Sequence, residues 1–394
     1  MIYEKALEKL KGLYELGAYN PAFYSWRIPG PHSFKDYEAF QEIPFMLKDE
    51  LRNAPAMQRT TTPLNEIYGV FSSSGTTGEK TYYVYSNEDK LVHEHFVKIF
   101  FSEFGVGPED IGGIMAPIDT GVMAHTMMWE FNTVGAGYVN CPDPSPENML
   151  DIVTKVPVTA IATRPAIASG VAYNPTLVEL ARQSQVTKLL MGGGFLSEER
   201  RKLLEYIWGA KCFNLLGTSE VFGPIAAECR YRDGLHFPSD YLMVEVIDPQ
   251  SKNPVPCGTP GIAVYTTLWN KGFPLLRYWT NDLIILDCSD CRCGRPYPRI
   301  RFLGRTDDCF LVDGNYVFPE SVENILFKYG CIGEYRVEKK QGRYLVKTES
   351  TINDVPQTMV DEFVELFKTE VAVSPLTPGS LHYDGHQLRF ASLD

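Results

Sequence analysis

Along residues 88–104 apolar positions recur every three to four residues, as an amphipathic helix requires, and residues 175–183 and 197–208 repeat that spacing. Between these segments lie two short apolar runs. Residues 158–162 follow Pro157, and residues 188–191 end in Gly192-Gly193-Gly194, so both read as buried strands. Across residues 111–140 apolar runs alternate with glycines, the pattern of buried strands with closely packed helices. Residues 1–55 read as helix and loop, with Pro21, Pro29 and Pro31 breaking the helical pattern. The alternation as a whole predicts an α/β sandwich whose strand ends carry the ligand loops.

From residue 241 the pattern turns β-rich, with strands predicted at 241–247, 261–268 and 283–286. A polar joint follows, Gly304-Arg305-Thr306-Asp307-Asp308. Beyond it come a helix at 320–327, strands near 335–337 and 344–347, and a helix at 356–368. The predicted division is a large N-terminal α/β sandwich domain with a β-rich subdomain, residues 1–304, and a small mobile α+β domain, residues 305–394.

Composition narrows the function classes. A chain of 394 residues with 44% hydrophobic and 22% charged residues is that of an ordinary globular protein. The formal net charge of −12 argues against a nucleic-acid partner, which needs clustered Lys and Arg. No stretch approaches the roughly 20 apolar residues that span a bilayer, and the N-terminus lacks the apolar core of a signal peptide. A cytoplasmic protein is expected. The nine cysteines are odd in number and lack a secretory signal, which argues against a disulfide framework and for a metal site. Cys141, Cys212, Cys257, Cys309 and Cys331 are scattered and read as small buried hydrophobes.

The most pointed chemistry lies in Ser72-Ser73-Ser74-Gly75-Thr76-Thr77-Gly78-Glu79-Lys80, between strand-like runs at 67–71 and 82–85. Small hydroxylated residues and glycines let many N–H and O–H groups converge on one anion. No Gly-Lys-Ser/Thr ending opens a helix here, so the loop is not a Walker P-loop and is expected to tip a β-hairpin. Ser73, Ser74, Gly75, Thr76, Thr77 and Gly78 are the candidate phosphate contacts. Further along, Gly217, Thr218 and Ser219 end an apolar run at Glu220, a carboxylate suited to hold Mg2+ against phosphate oxygens. Asp282 can accept two ribose hydroxyls, Arg305 can donate to a ribose or phosphate, and Asp307 sits where a backbone swivel would reorient the last domain.

In this order the segments resemble the adenylate-forming superfamily of acyl-CoA synthetases and adenylation domains, and in particular its phenylacetate–CoA ligase branch. Pro44-Phe45-Met46-Leu47-Lys48-Asp49-Glu50-Leu51-Arg52 is similar to the branch's Pro-Phe-x-x-Lys-x-x-Leu-Arg entry motif. Gly217-Thr218-Ser219-Glu220-Val221-Phe222-Gly223-Pro224 is similar to its Gly-Leu-Ser-Glu-Val-x-Gly-Pro signature. The likeness continues through Gly234-Leu235-His236, Cys291-Arg292-Cys293-Gly294-Arg295 and residues 304–319. It implies an ATP-dependent ligase that joins a carboxylic acid to AMP and passes the acyl group to CoA, an amine or a carrier-protein thiol. It further implies Glu220 on Mg2+, Asp282 and Arg305 on the ribose, Asp307 as hinge, and a homodimer as a common assembly. The acid is expected to be aromatic or apolar, with His125, Met128, Trp129 and Phe195 as pocket candidates.

One departure bears on catalysis. The superfamily carries a C-terminal lysine in a Gly-Lys pair, yet no lysine follows Lys368, and Asp384-Gly385-His386 stands in its place. Either His386 or Arg389 substitutes, or the first half-reaction is slow, or the chain is a degenerate member that binds nucleotide or acyl-adenylate without turnover. His386 is the catalytic candidate beside Glu220. Leu216 replaces the family's aromatic residue near adenine, and Gly192-Gly193-Gly194-Phe195 replaces an acidic segment. Separately, Cys229, His236, Cys291 and Cys293 make up a Cys3His set, the composition of a structural zinc site, with Cys288 as competing ligand through Cys288-x-x-Cys291.

Overall fold

The structure, a computed structural model, describes residues 3–73, 80–116, 122–352, 354–381 and 389–393. Ser74, Gly75, Thr76, Thr77, Gly78 and His386 lie outside the described residues. The chain divides into two compact units: Met1–Gly107, Ile118–Gly135 and Leu215–Phe302 form the first, and Pro108–Pro117, Ala136–Asn214 and Leu303–Asp394 the second. Among the described residues no helix is long and apolar enough to cross a membrane.

The second unit contains the expected α/β alternation. Its strands run in the order Gly137–Cys141, Ile111–Met115, Ala160–Thr163, Lys188–Met191 and the first half of Lys211–Thr218, all parallel. Parallel strands covered by helices are buried on both faces, and Ala160–Thr163 is buried at every position. The helices Pro146–Lys155, Pro175–Gln183 and Glu198–Trp208 start at Ser145, Asn174 and Ser197, whose side chains accept the first free backbone N–H groups. Leu189, Met191, Leu204 and Trp208 meet in one apolar core. Residues 303–394 add a four-stranded sheet in the order Val371–Leu376, Arg343–Glu349, Tyr335–Lys340 and Phe390–Ser392. The helices Pro319–Lys328 and Gln357–Phe367 pack on it through Val322, Leu326 and Phe363.

The first unit is β-rich. Its strands Leu242–Ile247, Pro260–Thr267 and Tyr278–Asp287 pair antiparallel. Gly223–Glu228 pairs with the second half of Lys211–Thr218 and with Leu235–His236. The loop tip predicted between two strands has its hairpin: Ile67–Ser72 pairs antiparallel with Tyr82–Ser86. Helix Asn87–Phe104 follows at once, capped by Ser86 and ended by Gly105 in the left-handed region.

Three expectations need correction. Pro21 and Pro31 do not break helices but open them, because the first helical residue needs no N–H; Asn20 caps the first of the two. The strand expected at 283–286 starts five residues earlier, at Tyr278, hidden by the polar residues Asn281 and Asp282 at an irregularity in its pairing. Cys257 and Cys288 are exposed and joined by a disulfide, with Cα atoms 6.1 Å apart. Strand register is the reason. Pro260 stands opposite Ile285, so three residues further out on each chain Cys257 meets Cys288. That bond removes Cys288 from competition for a metal.

Candidate active site

Glu220 lies in a tight turn between Lys211–Thr218 and Gly223–Glu228. The turn closes through Phe222 at φ 62° and Gly223 at φ 94°. A Cβ on Gly223 would fall 2.8 Å from the His93 ring and 3.1 Å from Glu130 Oε1, so only glycine fits there. Beneath it His93 Nε2 and Glu130 Oε1 are 3.1 Å apart, both fully buried.

The Glu220 carboxylate is 6% exposed and is held by neutral donors. The Tyr83 and Tyr278 hydroxyls each donate to Oε1 at 3.0 Å, and the Thr218 hydroxyl donates to Oε2. Burial alone would raise its pKa, but the charge of Lys48 and the hydrogen bonds from Thr218 and Tyr83 hold it below the usual carboxylate range. Burial and the neighbouring carboxylate push both phenols upward, so they remain donors at neutral pH. A carboxylate offers about four acceptor positions. Among the described residues two donors meet Oε1 and Thr218 meets Oε2, and the backbone N–H of Glu220 itself adds to them, so the ionised group is held by its own turn and by two strands.

Two elements bring these groups together. Tyr83 and Tyr85 alternate along Tyr82–Ser86, and Tyr85 donates to Ser219 O while accepting from Phe222 N at 3.1 Å. The hairpin is thereby fastened to the turn that carries Glu220. At the base of the hydroxyl-rich loop, Ser73 N donates to Thr81 O at 2.9 Å and Thr81 N to Ser73 Oγ at 3.1 Å, so Ser73 is buried as a closing pair rather than displayed. The entry motif is pinned by Met46, whose N–H donates to Arg277 O at 2.9 Å and whose carbonyl accepts from Trp279 N at 3.0 Å. Met46 bridges Tyr278, and Lys48 follows two residues later, within the field of Glu220.

Asp282 is buried on the same strand as Tyr278, just after Asn281 in the left-handed region at φ 67°. Such irregularities re-aim side chains beside sites. Gly217 is exposed at the edge of the turn, and Thr218 and Ser219 are half-buried. Arg305 and Asp307 belong to the second unit, where they pair with each other at 2.8 Å.

Of the pocket candidates, Trp129 stacks on Phe222 at 5.9 Å and His125 lies 5.9 Å from Phe71, which in turn is 5.7 Å from Phe222. Met128 is half-buried on the same helix, Val122–Thr133. Phe195 lies in the other unit. Tyr83, Tyr278 and Lys48 were not singled out from sequence. Lys48 carried a signal, being the only cation of the entry motif before Arg52; the tyrosines carried none, because the chain holds 22 of them.

Arg389, one proposed stand-in for the missing lysine, is 3% exposed and committed elsewhere: it bonds Glu323 at 3.0 Å and Glu334 at 3.1 Å.

The first unit also holds the cysteine–histidine cluster. The ligand atoms of Cys229, His236, Cys291 and Cys293 all lie within 4.8 Å of one another. Cys229 Sγ is 3.9 Å from Cys291 Sγ, and Cys293 Sγ is 3.4 Å from His236 Nε2. His236 Nδ1 meets the Tyr297 carbonyl at 2.9 Å, which fixes the tautomer and leaves Nε2 free for a metal. Burial lowers the His236 pKa and keeps the ring neutral. A tetrahedral zinc with bonds of about 2.3 Å to sulfur and 2.0 Å to nitrogen would need edges of about 3.5–3.8 Å, and these separations fit.

A buried carboxylate beside a hydroxyl-rich hairpin is what a nucleotide-handling enzyme needs, and comparison with known proteins decides the matter. Residues 31–267 match the AMP-binding enzyme family. The chain belongs to that family. It is an ATP-using, AMP-forming ligase that activates a carboxylic acid as its acyl-adenylate. The phenylacetate-coenzyme A ligase of Thermus thermophilus is 32% identical over 312 residues, covering 75% of this chain and 67% of that protein. The phenylacetate-coenzyme A ligase of Escherichia coli is 25% identical, covering 80% and 73%. Among solved structures, 2-hydroxyisobutyryl-CoA ligase with a bound acyl-AMP superposes with a TM-score of 0.82 at 20% identity, over 98% of this chain and 88% of that one. The α/β fold expected from the hydropathy pattern is thus the fold of this AMP-binding enzyme.

Proposed function

We propose that this AMP-binding enzyme converts an aromatic carboxylic acid to its CoA thioester. The acid carboxylate attacks the α-phosphorus of ATP and pyrophosphate leaves. The CoA thiolate then attacks the activated carbonyl and AMP leaves. Glu220 carries the proposal: one ionised, buried carboxylate, fastened to the base of the hydroxyl-rich loop.

Mg2+ on Glu220 would neutralise phosphate charge. Tyr83, Tyr278 and Thr218 keep that carboxylate ionised and oriented. Lys48 supplies a cation from the first unit, the service Arg389 cannot give while bound to Glu323 and Glu334. Asp282 would hold the ribose, and Asp307 would serve as hinge for residues 305–394. The rings of Phe71, Trp129 and Phe222 support an aromatic acid. Zinc at Cys229, His236, Cys291 and Cys293 would be structural, since protein fills all four positions.

Pyrophosphate exchange against a panel of aromatic and aliphatic acids, followed by mass detection of the CoA thioester, tests the reading. Exchange confined to small aliphatic acids would overturn the aromatic assignment, and an amide in place of the thioester would overturn CoA. A second reading, a binder without turnover, is favoured by Asp384-Gly385-His386 standing in place of a Gly-Lys pair; ATP binding with no exchange for any acid would establish it. Metal analysis of the purified protein should return close to one zinc per chain, and a value near zero would remove that site.

A further inference from the structure

Within the second unit four buried charges form a closed ring. Arg200, on helix Glu198–Trp208, bonds Glu323 Oε1 at 3.1 Å and Glu334 Oε1 at 3.0 Å. Arg389 bonds the same two carboxylates from the other side, at 3.0 and 3.1 Å. Ser197, the cap of that helix, donates to Glu323 Oε2, and the Arg200 guanidinium also donates to Ser169 Oγ at 3.2 Å. Arg200 and Glu323 are 0% exposed. Both positive charges are matched by both negative ones, so the ring is neutral.

The connectivity of this ring is uneven. Glu323, Glu334 and Arg389 all belong to residues 303–394, while Arg200, Ser197 and Ser169 precede residue 214. Without Arg200 the C-terminal trio holds two carboxylates and one guanidinium. Any movement of residues 305–394 about Asp307 would therefore strand a net negative charge on one side and an unpaired guanidinium on the other. Water must reach both before the parts separate, which makes the step costly.

We propose that Arg200 is the positioning residue that seats residues 305–394 on helix Glu198–Trp208, and that this ring opens once between the two half-reactions. The proposal rests on the ligase reading for the movement itself, although the seating stands on the geometry alone. Lysine cannot replace Arg200 fully, because a single ammonium cannot bridge two carboxylates and a hydroxyl in a planar fork.

The test compares wild type with Arg200→Lys and Arg200→Met by hydrogen–deuterium exchange and by half-reaction kinetics. Protection along Pro319–Lys328 and Tyr335–Lys340 should fall about tenfold in Arg200→Met and less in Arg200→Lys, with Ala160–Thr163 unchanged. The ratio of thioester formation from preformed acyl-adenylate to pyrophosphate exchange should move by about fivefold or more, in the same order. Unchanged protection in both folded variants would overturn the seating. Lost protection with an unchanged ratio would overturn the positioning role and leave Arg200 as packing only. If wild type exchanges pyrophosphate with no acid, the ligase reading fails while the deuterium comparison still decides the seating.

Discussion

Glu220 and Glu323 are both withdrawn from water, at 6% and 0% exposure, and they are held in opposite ways. Glu323 sits between two guanidinium groups that cancel its charge within the protein. Glu220 is held by two phenols and a hydroxyl, which orient the carboxylate but leave its charge standing. A neutral ring has no net charge left to attract an ion and acts by holding one stretch of chain to another. An ionised carboxylate gripped by neutral donors retains its attraction for a cation.

The comparison breaks most visibly through activity. Glu220→Gln should lower pyrophosphate exchange by more than about 100-fold, since loss of a metal ligand exceeds the 10–100-fold cost of losing an outer partner. Its urea denaturation midpoint should barely move. A loss under about threefold would equate Glu220 with a packing residue. Glu323→Gln should do the reverse in stability, lowering the unfolding free energy by about 3–5 kcal/mol because two guanidinium groups lose a buried counter-charge. Denaturation in urea measures this, and a change near zero would mean that water already reaches the ring.

Tyr278→Phe sharpens the contrast at smaller amplitude. Removing one donor from Oε1 should raise the Mg2+ concentration for half-maximal exchange by roughly tenfold. Direct Mn2+ titration by electron paramagnetic resonance would show the same shift without relying on turnover. An unchanged affinity would leave Tyr278 a spacer. The smallest effect belongs to Asp287, a partly exposed carboxylate that serves as reference. Burial raises its pKa, but hydrogen bonds from Ser289 and Arg301 and the Arg299 charge together outweigh it and hold it at about 2. A folded pKa below the unfolded value of about 3.9 adds stability at neutral pH that is lost as pH falls from about 4 to 2. Asp287→Asn should therefore flatten the acid limb of the stability curve over that window and leave it unchanged if the pairing is fully solvated.

Local rules made much of this legible beforehand. The helix at 175–183 is found at Pro175–Gln183 and the strand at 188–191 at Lys188–Met191, because periodicity and caps act over a few residues. Glu220 was singled out as a candidate through its motif. The phenol clamp was invisible, since Tyr83 and Tyr278 lie 137 and 58 residues from Glu220. The Arg200 ring closes over separations of 123 and 134 residues, and no composition or spacing encodes such a pairing. The disulfide escaped for the same reason: only the register of two strands brings Cys257 to Cys288.

The ring has a consequence for handling the protein. Arg389 immediately precedes Phe390–Ser392, the edge strand that runs parallel to Tyr335–Lys340. Clipping the chain just ahead of Arg389, by a protease or a misplaced stop codon, would strip an edge from a sheet and a cation from a buried quartet in one cut. A handful of residues thus weighs on the whole four-stranded sheet.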